Sequence, residues 1–100
     1  MDKIFKALAD KNRRLILTML NKQPMTVGEL VDKVTIGQAT VSSHLGKMKK
    51  AGLLEVEARG KNRLYKINTE VWTRFIREIN GFAKVVESYS EDEIILRRKS

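Results

Sequence analysis

The sequence predicts a mainly α-helical domain that carries a small β-hairpin. Three observations predict it. Apolar residues recur at spacings of three and four up to Met48, the period drops to two between Leu53 and Ile67, and helical spacing returns from Trp72 to Val86.

Ile4, Phe5 and Leu8 share one face of a short helix over residues 3–9. Asp10 is a good N-cap for a second helix from Lys11 to about Leu20, with Leu15, Ile16, Met19 and Leu20 on its apolar face. The stretch from Asn21 to Pro24 breaks it. Thr26, with Glu29 three residues on, makes a capping box for a third helix whose buried stripe is Val27, Leu30, Val31 and Val34. Thr35-Ile36-Gly37 is a turn. A fourth helix follows from about Gln38 to Lys50, keeping Val41, Leu45 and Met48 inward, and Gly52 supplies its left-handed cap. LLEVEA and NRLYKI alternate around Arg59-Gly60-Lys61, a hairpin with a basic tip. Asn68 or Thr69 then caps a long last helix in which Trp72, Ile76, Ile79, Ala83 and Val86 recur, with Phe75 and Phe82 beside them. After Tyr89 the pattern fades, and the tail at 90–100 can extend that helix, pack back on the body or be mobile. Residues 1–100 contain no repeat and no linker, so they form a single domain. The order α-α-α-α-β-β-α is that of a winged helix-turn-helix.

Composition narrows the function. The apolar fraction of 42% is ordinary for a globular chain. No run approaches the roughly 18 apolar residues of a membrane span. The opening MDKIFKALAD has no signal-peptide core, so a cytoplasmic location is expected. The absence of cysteine excludes disulfides, thiolate metal sites and thiol redox sensing. The net charge of +8 is unevenly spread: 14 Lys/Arg against 6 Asp/Glu up to Asn68, then 6 against 6. All of the excess therefore lies with the helix pair and hairpin, and it points to a polyanion, most simply double-stranded DNA.

In a helix-turn-helix the exposed start of the second helix reaches base edges while neighbouring groups hold phosphates. Here that start offers Gln38, Ala39, Ser42 and Ser43 opposite the buried Val41, Leu45 and Met48. Gln binds adenine in a bidentate manner, Ala touches a thymine methyl and Ser serves either strand. Thr40 and His44 lie at the margin of that face, in reach of bases or phosphates. Lys47, Lys49 and Lys50 read as phosphate ligands or as complements of the helix dipole. Arg59, Lys61 and Arg63 crowd the hairpin tip, ready to lie along the backbone or to enter a narrow minor groove. His44 is the sole histidine, and with no cysteine it cannot build a transition-metal site. Paired carboxylates, nucleophile motifs and phosphate loops are absent. The chain therefore reads as no enzyme, with no catalytic residues, no metal and no cofactor.

The long helix is too apolar for a small domain to cover on all sides. With Ile4, Phe5 and Leu8, the residues Trp72, Phe75, Ile76, Ile79, Phe82 and Val86 would make a self-complementary two-fold interface. That assigns residues 1–9 and 70–89 to dimerisation.

The chain resembles the ArsR family of small repressors. The matching pieces are ALADKNRRLIL at 7–17, VGELVDKV at 27–34, QATVSSHLGKMKKAGLL at 38–54 and RGKNRLYKI at 59–67. Lys11 stands where the family commonly has proline, and Gly37 where a serine often caps the recognition helix. The resemblance implies a homodimeric repressor that leaves its operator on sensing an inducer. It also implies a DNA contact for His44, against which stands a structural hydrogen bond. For Arg13 it leaves an ion pair and a phosphate contact equally open. The family's metal-sensing branches use cysteines on the helix matching 27–34 or Asp/His sets on the last helix. This chain has no Cys in the first and no His in the second. The expected function is a sequence-specific transcriptional regulator that binds an imperfect inverted repeat, with effector unknown. The alternatives are a non-specific architectural DNA binder and a protein-interaction winged helix.

Overall fold

A computed structural model describes the backbone of residues 1–99 and the side chains of residues 1–88. The elements run α1 (Asp2–Leu8), α2 (Lys11–Lys22), β1 (Met25–Thr26), α3 (Val27–Val31), α4 (Gln38–Lys50), β2 (Leu54–Arg59), β3 (Asn62–Ile67) and α5 (Thr69–Lys99). The order matches the sequence expectation except for β1. That two-residue strand pairs antiparallel with β3, Met25 opposite Tyr65 and Thr26 opposite Leu64, and makes the hairpin a three-stranded sheet of order β1-β3-β2.

Local chemistry sets the boundaries. The Asp10 carboxylate accepts from the backbone N–H of Asn12 at 2.8 Å and of Arg13 at 3.1 Å, which satisfies amides that α2 leaves open at its start. Thr26 and Glu29 form the reciprocal capping box of α3, and Glu29 Oε1 accepts from the Thr26 N–H at 3.0 Å. Gly52 follows α4 at φ 84°, and the N–H of Leu53 bonds back to Met48 O at 3.0 Å. Gly60 holds φ 59° as the first residue of the two-residue turn Gly60-Lys61, and Lys61 keeps a negative φ, the pattern of a type II′ hairpin. Asn68 Oδ1 accepts from the Val71 N–H at 3.2 Å and so caps α5.

The core draws on every helix. Ile16, Leu30, Val41, Leu45, Met48 and Leu53 are wholly buried, with Ile4 and Ala7 from α1, Leu20 from α2 and Phe75 from α5 around them. Leu15 was expected on the apolar face of α2 but is 47% exposed, because the buried set of that helix is Ile16, Leu17 and Leu20. The chain after Tyr89 takes the first of its three options, since the backbone of α5 continues to Lys99. A helix of 31 residues spans roughly 46 Å at 1.5 Å per residue. It therefore stretches the molecule to 64 × 26 × 20 Å.

Candidate nucleic-acid interface

The fold turns α4 so that one face is sealed and the other is open. Val41, Leu45 and Met48 have no solvent exposure, while Gln38, Ala39, Thr40, Ser42 and Ser43 are exposed in a row along the first two turns. The helix carries no acidic residue in its first turn and has Lys47, Lys49 and Lys50 in its last. Its two flanks face different partners. Ser42, Gly46, Lys49 and Lys50 line a groove against the hairpin, closed on the far side by Arg63 and Tyr65. Lys47 lies on the opposite flank, beside α1 and the start of α2.

The hairpin presents its cations in three directions. Arg59 stands opposite Asn62 and Arg63 opposite Ala58, so the two arginines sit on alternate faces, with Lys61 at the tip. Arg63 faces α4. The positive charge of Arg59 reaches Glu29 and helps to hold that carboxyl below its ordinary value, behind the stronger effect of the Thr26 backbone N–H. Lys66 is engaged within the sheet by Glu57 at 3.3 Å and Glu55 at 3.8 Å. It is therefore less available to a phosphate than the three tip residues.

His44 departs from expectation. It was placed at the margin of the open face, but it is 8% exposed and turned inward. Its Nε2 lies 3.8 Å from Asp10 Oδ1, and its Nδ1 is buried without a hydrogen-bond partner. The reason is helical geometry, since a residue three after Val41 and four before Met48 belongs to the sealed face. Neither ring nitrogen makes a hydrogen bond among the described residues, and the buried ring offers little surface to a DNA strand. The Asp10 carboxyl is held below its ordinary value, first by the Arg13 backbone N–H and further by Asn12, His44 and the Arg13 charge, against an opposing effect of burial. Arg13 makes no ion pair within 4 Å among the described residues, and its Nε is buried without an acceptor. Arg14 donates from Nη1 to Leu8 O at 2.7 Å, tying α2 to the end of α1.

The residues expected at a dimer interface divide. Ile4 and Phe75 are buried in the protomer's own core, and Phe5 packs edge-to-face on Phe75 at 5.4 Å. Ile4 and Phe75 therefore belong to the protomer's core rather than to an open interface. Leu8, Trp72 and Ile79 are half-buried against that core. Phe5, Ile76, Phe82 and Val86 remain open, joined by Val85. Sequence reasoning missed Gly46 and Tyr65 in the groove beside the hairpin. Gly46 follows Ser42 by four, the spacing that puts it on the same flank. Among the described residues no group of three His, Cys, Asp or Glu side chains could hold a metal ion. None of the helices searched there is long and apolar enough to cross a membrane.

A sealed-and-open helix after a short turn, flanked by a basic wing, is the build of a winged helix-turn-helix DNA-binding domain. Residues 10–56 match the model of the arsR family of bacterial regulatory proteins. The chain is 30% identical to the HTH-type transcriptional regulator Rv2034 of Mycobacterium tuberculosis over 99 residues, 91% of this chain and 92% of that protein. It is 34% identical to the transcriptional repressor SdpR of Bacillus subtilis over 71 residues, covering 71% and 79%. Its fold is similar to the homodimeric winged helix-turn-helix DNA-binding domain of Mb0332 from Mycobacterium bovis, with a TM-score of 0.69 at 26% identity over 83% of this chain and 77% of that one. The chain belongs to the ArsR family and is a DNA-binding transcriptional regulator of the winged helix-turn-helix class.

Proposed function

We propose that the chain acts as a cytoplasmic homodimeric repressor that occupies an imperfect inverted repeat, with a regulatory rather than a catalytic role. Each α4 lies in a major groove, with Gln38, Ala39, Ser42 and Ser43 toward the bases. Lys49, Lys50 and the wing residues Arg59, Lys61 and Arg63 hold the adjoining phosphates. The observation that carries this reading is the exposed polar row on a helix whose other face is wholly buried. Such a helix is fixed in orientation, and its outward side chains are small enough to let it approach base edges. Two-fold pairing through α1 and α5 supports a spacing of about 34 Å between the recognition helices, one turn of DNA. The homodimeric state of the Mb0332 domain supports that pairing.

Fluorescence anisotropy with the DNA upstream of the chain's own gene, against a scrambled duplex at two salt concentrations, tests the proposal. A preference of about a thousandfold or more is expected. Gln38→Ala should remove roughly 1–3 kcal/mol of discrimination at one position of the site. Retention of full preference by that variant would show that Gln38 reads no base. Equal, steeply salt-dependent binding to both duplexes, persisting after selection from a random pool, would make the chain an architectural binder.

A further inference from the structure

The wing and α4 leave one strongly charged feature without a role. On the flank of α4 away from the wing, Lys3, Lys6, Arg13, Lys47 and Lys50 line a single groove of about 300 Å³, floored by Ala7 and Ala51. The five cations come from three helices, and no carboxylate lines the groove. None of the five makes an ion pair within 4 Å among the described residues. Asp10, beside Arg13, is already bonded to the backbone N–H groups of Asn12 and Arg13 and faces His44, and Asp2 on α1 makes no ion pair within 4 Å among the described residues. Asp10 offsets part of the Arg13 charge, but bringing the remaining like charges to one concavity disfavours the free protein electrostatically. A bound polyanion reverses that sign.

We infer that this groove holds the sugar–phosphate strand on the side of the major groove opposite the wing, making α1 part of the DNA grip. The inference rests on the proposed placement of α4. Lys50 lines both this groove and the one beside the wing, and so links the groove that holds Arg63 to the one that holds Lys3. A helix seated in the major groove, about 12 Å wide, has a phosphate strand on each side of it. The wing flank supplies cations for one strand, and the α1–α2 flank supplies them for the other. The geometry of α1 fits a double duty. Lys3, Lys6 and Ala7 face the groove, whereas Phe5 packs on Phe75 and Leu8 lies beside Trp72. One short helix thus touches the DNA strand with one side and the dimer helix with the other. The lysines of α1 contact no base edge, so they add affinity without sequence preference.

The test is the salt dependence of binding by the full-length double variant Lys3→Gln/Lys6→Gln, on a duplex selected from a random pool and on a scrambled one. Both lysines are exposed, so the fold is expected to survive, and circular dichroism checks it. Each lost phosphate contact lowers the slope of log K against log salt by about 0.9. The double variant should therefore lose about two units of slope on both duplexes. Its deficit relative to wild type should shrink about tenfold between 50 and 200 mM salt. Lys3→Arg/Lys6→Arg should restore the slope. Lys22→Gln, at the other end of α2, should leave it unchanged.

A double variant with wild-type slope overturns the inference, as does a slope loss of the same size in Lys22→Gln. Calorimetry with tripolyphosphate separates the two sources of phosphate. Low-micromolar binding that depends on Lys3 and Lys6, with an unchanged DNA slope, would assign the groove to a free phosphorylated ligand and refute the DNA contact. The slope reports phosphates on any duplex, so it decides the groove even if the wild-type chain shows no sequence preference. That outcome would refute the specific-regulator proposal instead.

Discussion

Phe82 is the residue on which dimerisation is most sharply tested. It is 58% exposed and lies one turn beyond Ile79, the furthest described residue of α5 that packs against the core. A phenylalanine side chain buries about 150–250 Å² when fully covered. Roughly 100 Å² of Phe82 is thus open for a partner, worth about 2.5 kcal/mol at 25 cal/mol per Å². Alanine keeps part of that area, which leaves about 2 kcal/mol per copy, and a two-fold interface counts the change twice. Phe82→Ala should therefore raise the dimer dissociation constant by up to about a thousandfold. Sedimentation equilibrium over a range of concentrations measures it directly. Thermal unfolding of the monomeric species controls for damage to the body, which Phe82 does not support. A shift of less than about tenfold would mean that α5 does not pair through this face. A wild-type chain that remains monomeric at tens of micromolar would refute the two-fold arrangement.

Two further outcomes follow from the interior and the caps. Leu45→Ala removes a side chain with no solvent exposure from the back of the recognition helix, and it should cost about 2–5 kcal/mol. Circular dichroism should show a melting temperature lower by at least 10 °C or so, and a fall under about 5 °C would contradict the packing described. Asp10 and Glu29 both have carboxyls held below their ordinary values in the folded chain. Their contribution to stability is complete above the unfolded carboxylate value of about 4 and is lost as pH falls through the lower native values. Urea midpoints measured downward from neutral pH should therefore drop in acid. Asp10→Asn, which keeps a capping oxygen but cannot titrate, should shallow that drop, and an identical acid profile would refute the assignment.

Much of the fold was legible because its signals are local. The Thr26–Glu29 capping box, the left-handed Gly52 and the Gly60-Lys61 turn each depend on a few consecutive residues, and each stands where the sequence placed it. The features that were not legible depend on residues far apart in the chain. Met25 and Thr26 are too few to show a period of two, and they become a strand only because the edge of β3 lies beside them. His44 looks like a surface residue by type, yet its position in the turn of α4 carries it inward toward Asp10, thirty-four residues earlier. Leu15 carries the apolar chemistry of its neighbours but falls off their face by one step of the helix. The open row on α4 was readable from its period alone. The groove that joins Lys3 and Lys6 to Lys47 was not, because three helices must pack before those charges meet.

Asn68 is the whole connection between the sheet and the long helix. It follows β3 directly, its N–H bonds to Leu53 O at 2.8 Å, and its carbonyl receives the N–H of Trp72 at 3.0 Å. With no other residue between β3 and α5, a tilt of the helix reaches the hairpin through Asn68. The arm from Asn68 to the hairpin tip is about six residues, roughly 20 Å of extended chain. A tilt of about three degrees in α5 displaces the tip by about 1 Å over that arm. If two copies pair through α5 as proposed, a change in the angle between the paired helices would alter the distance between the two hairpin tips.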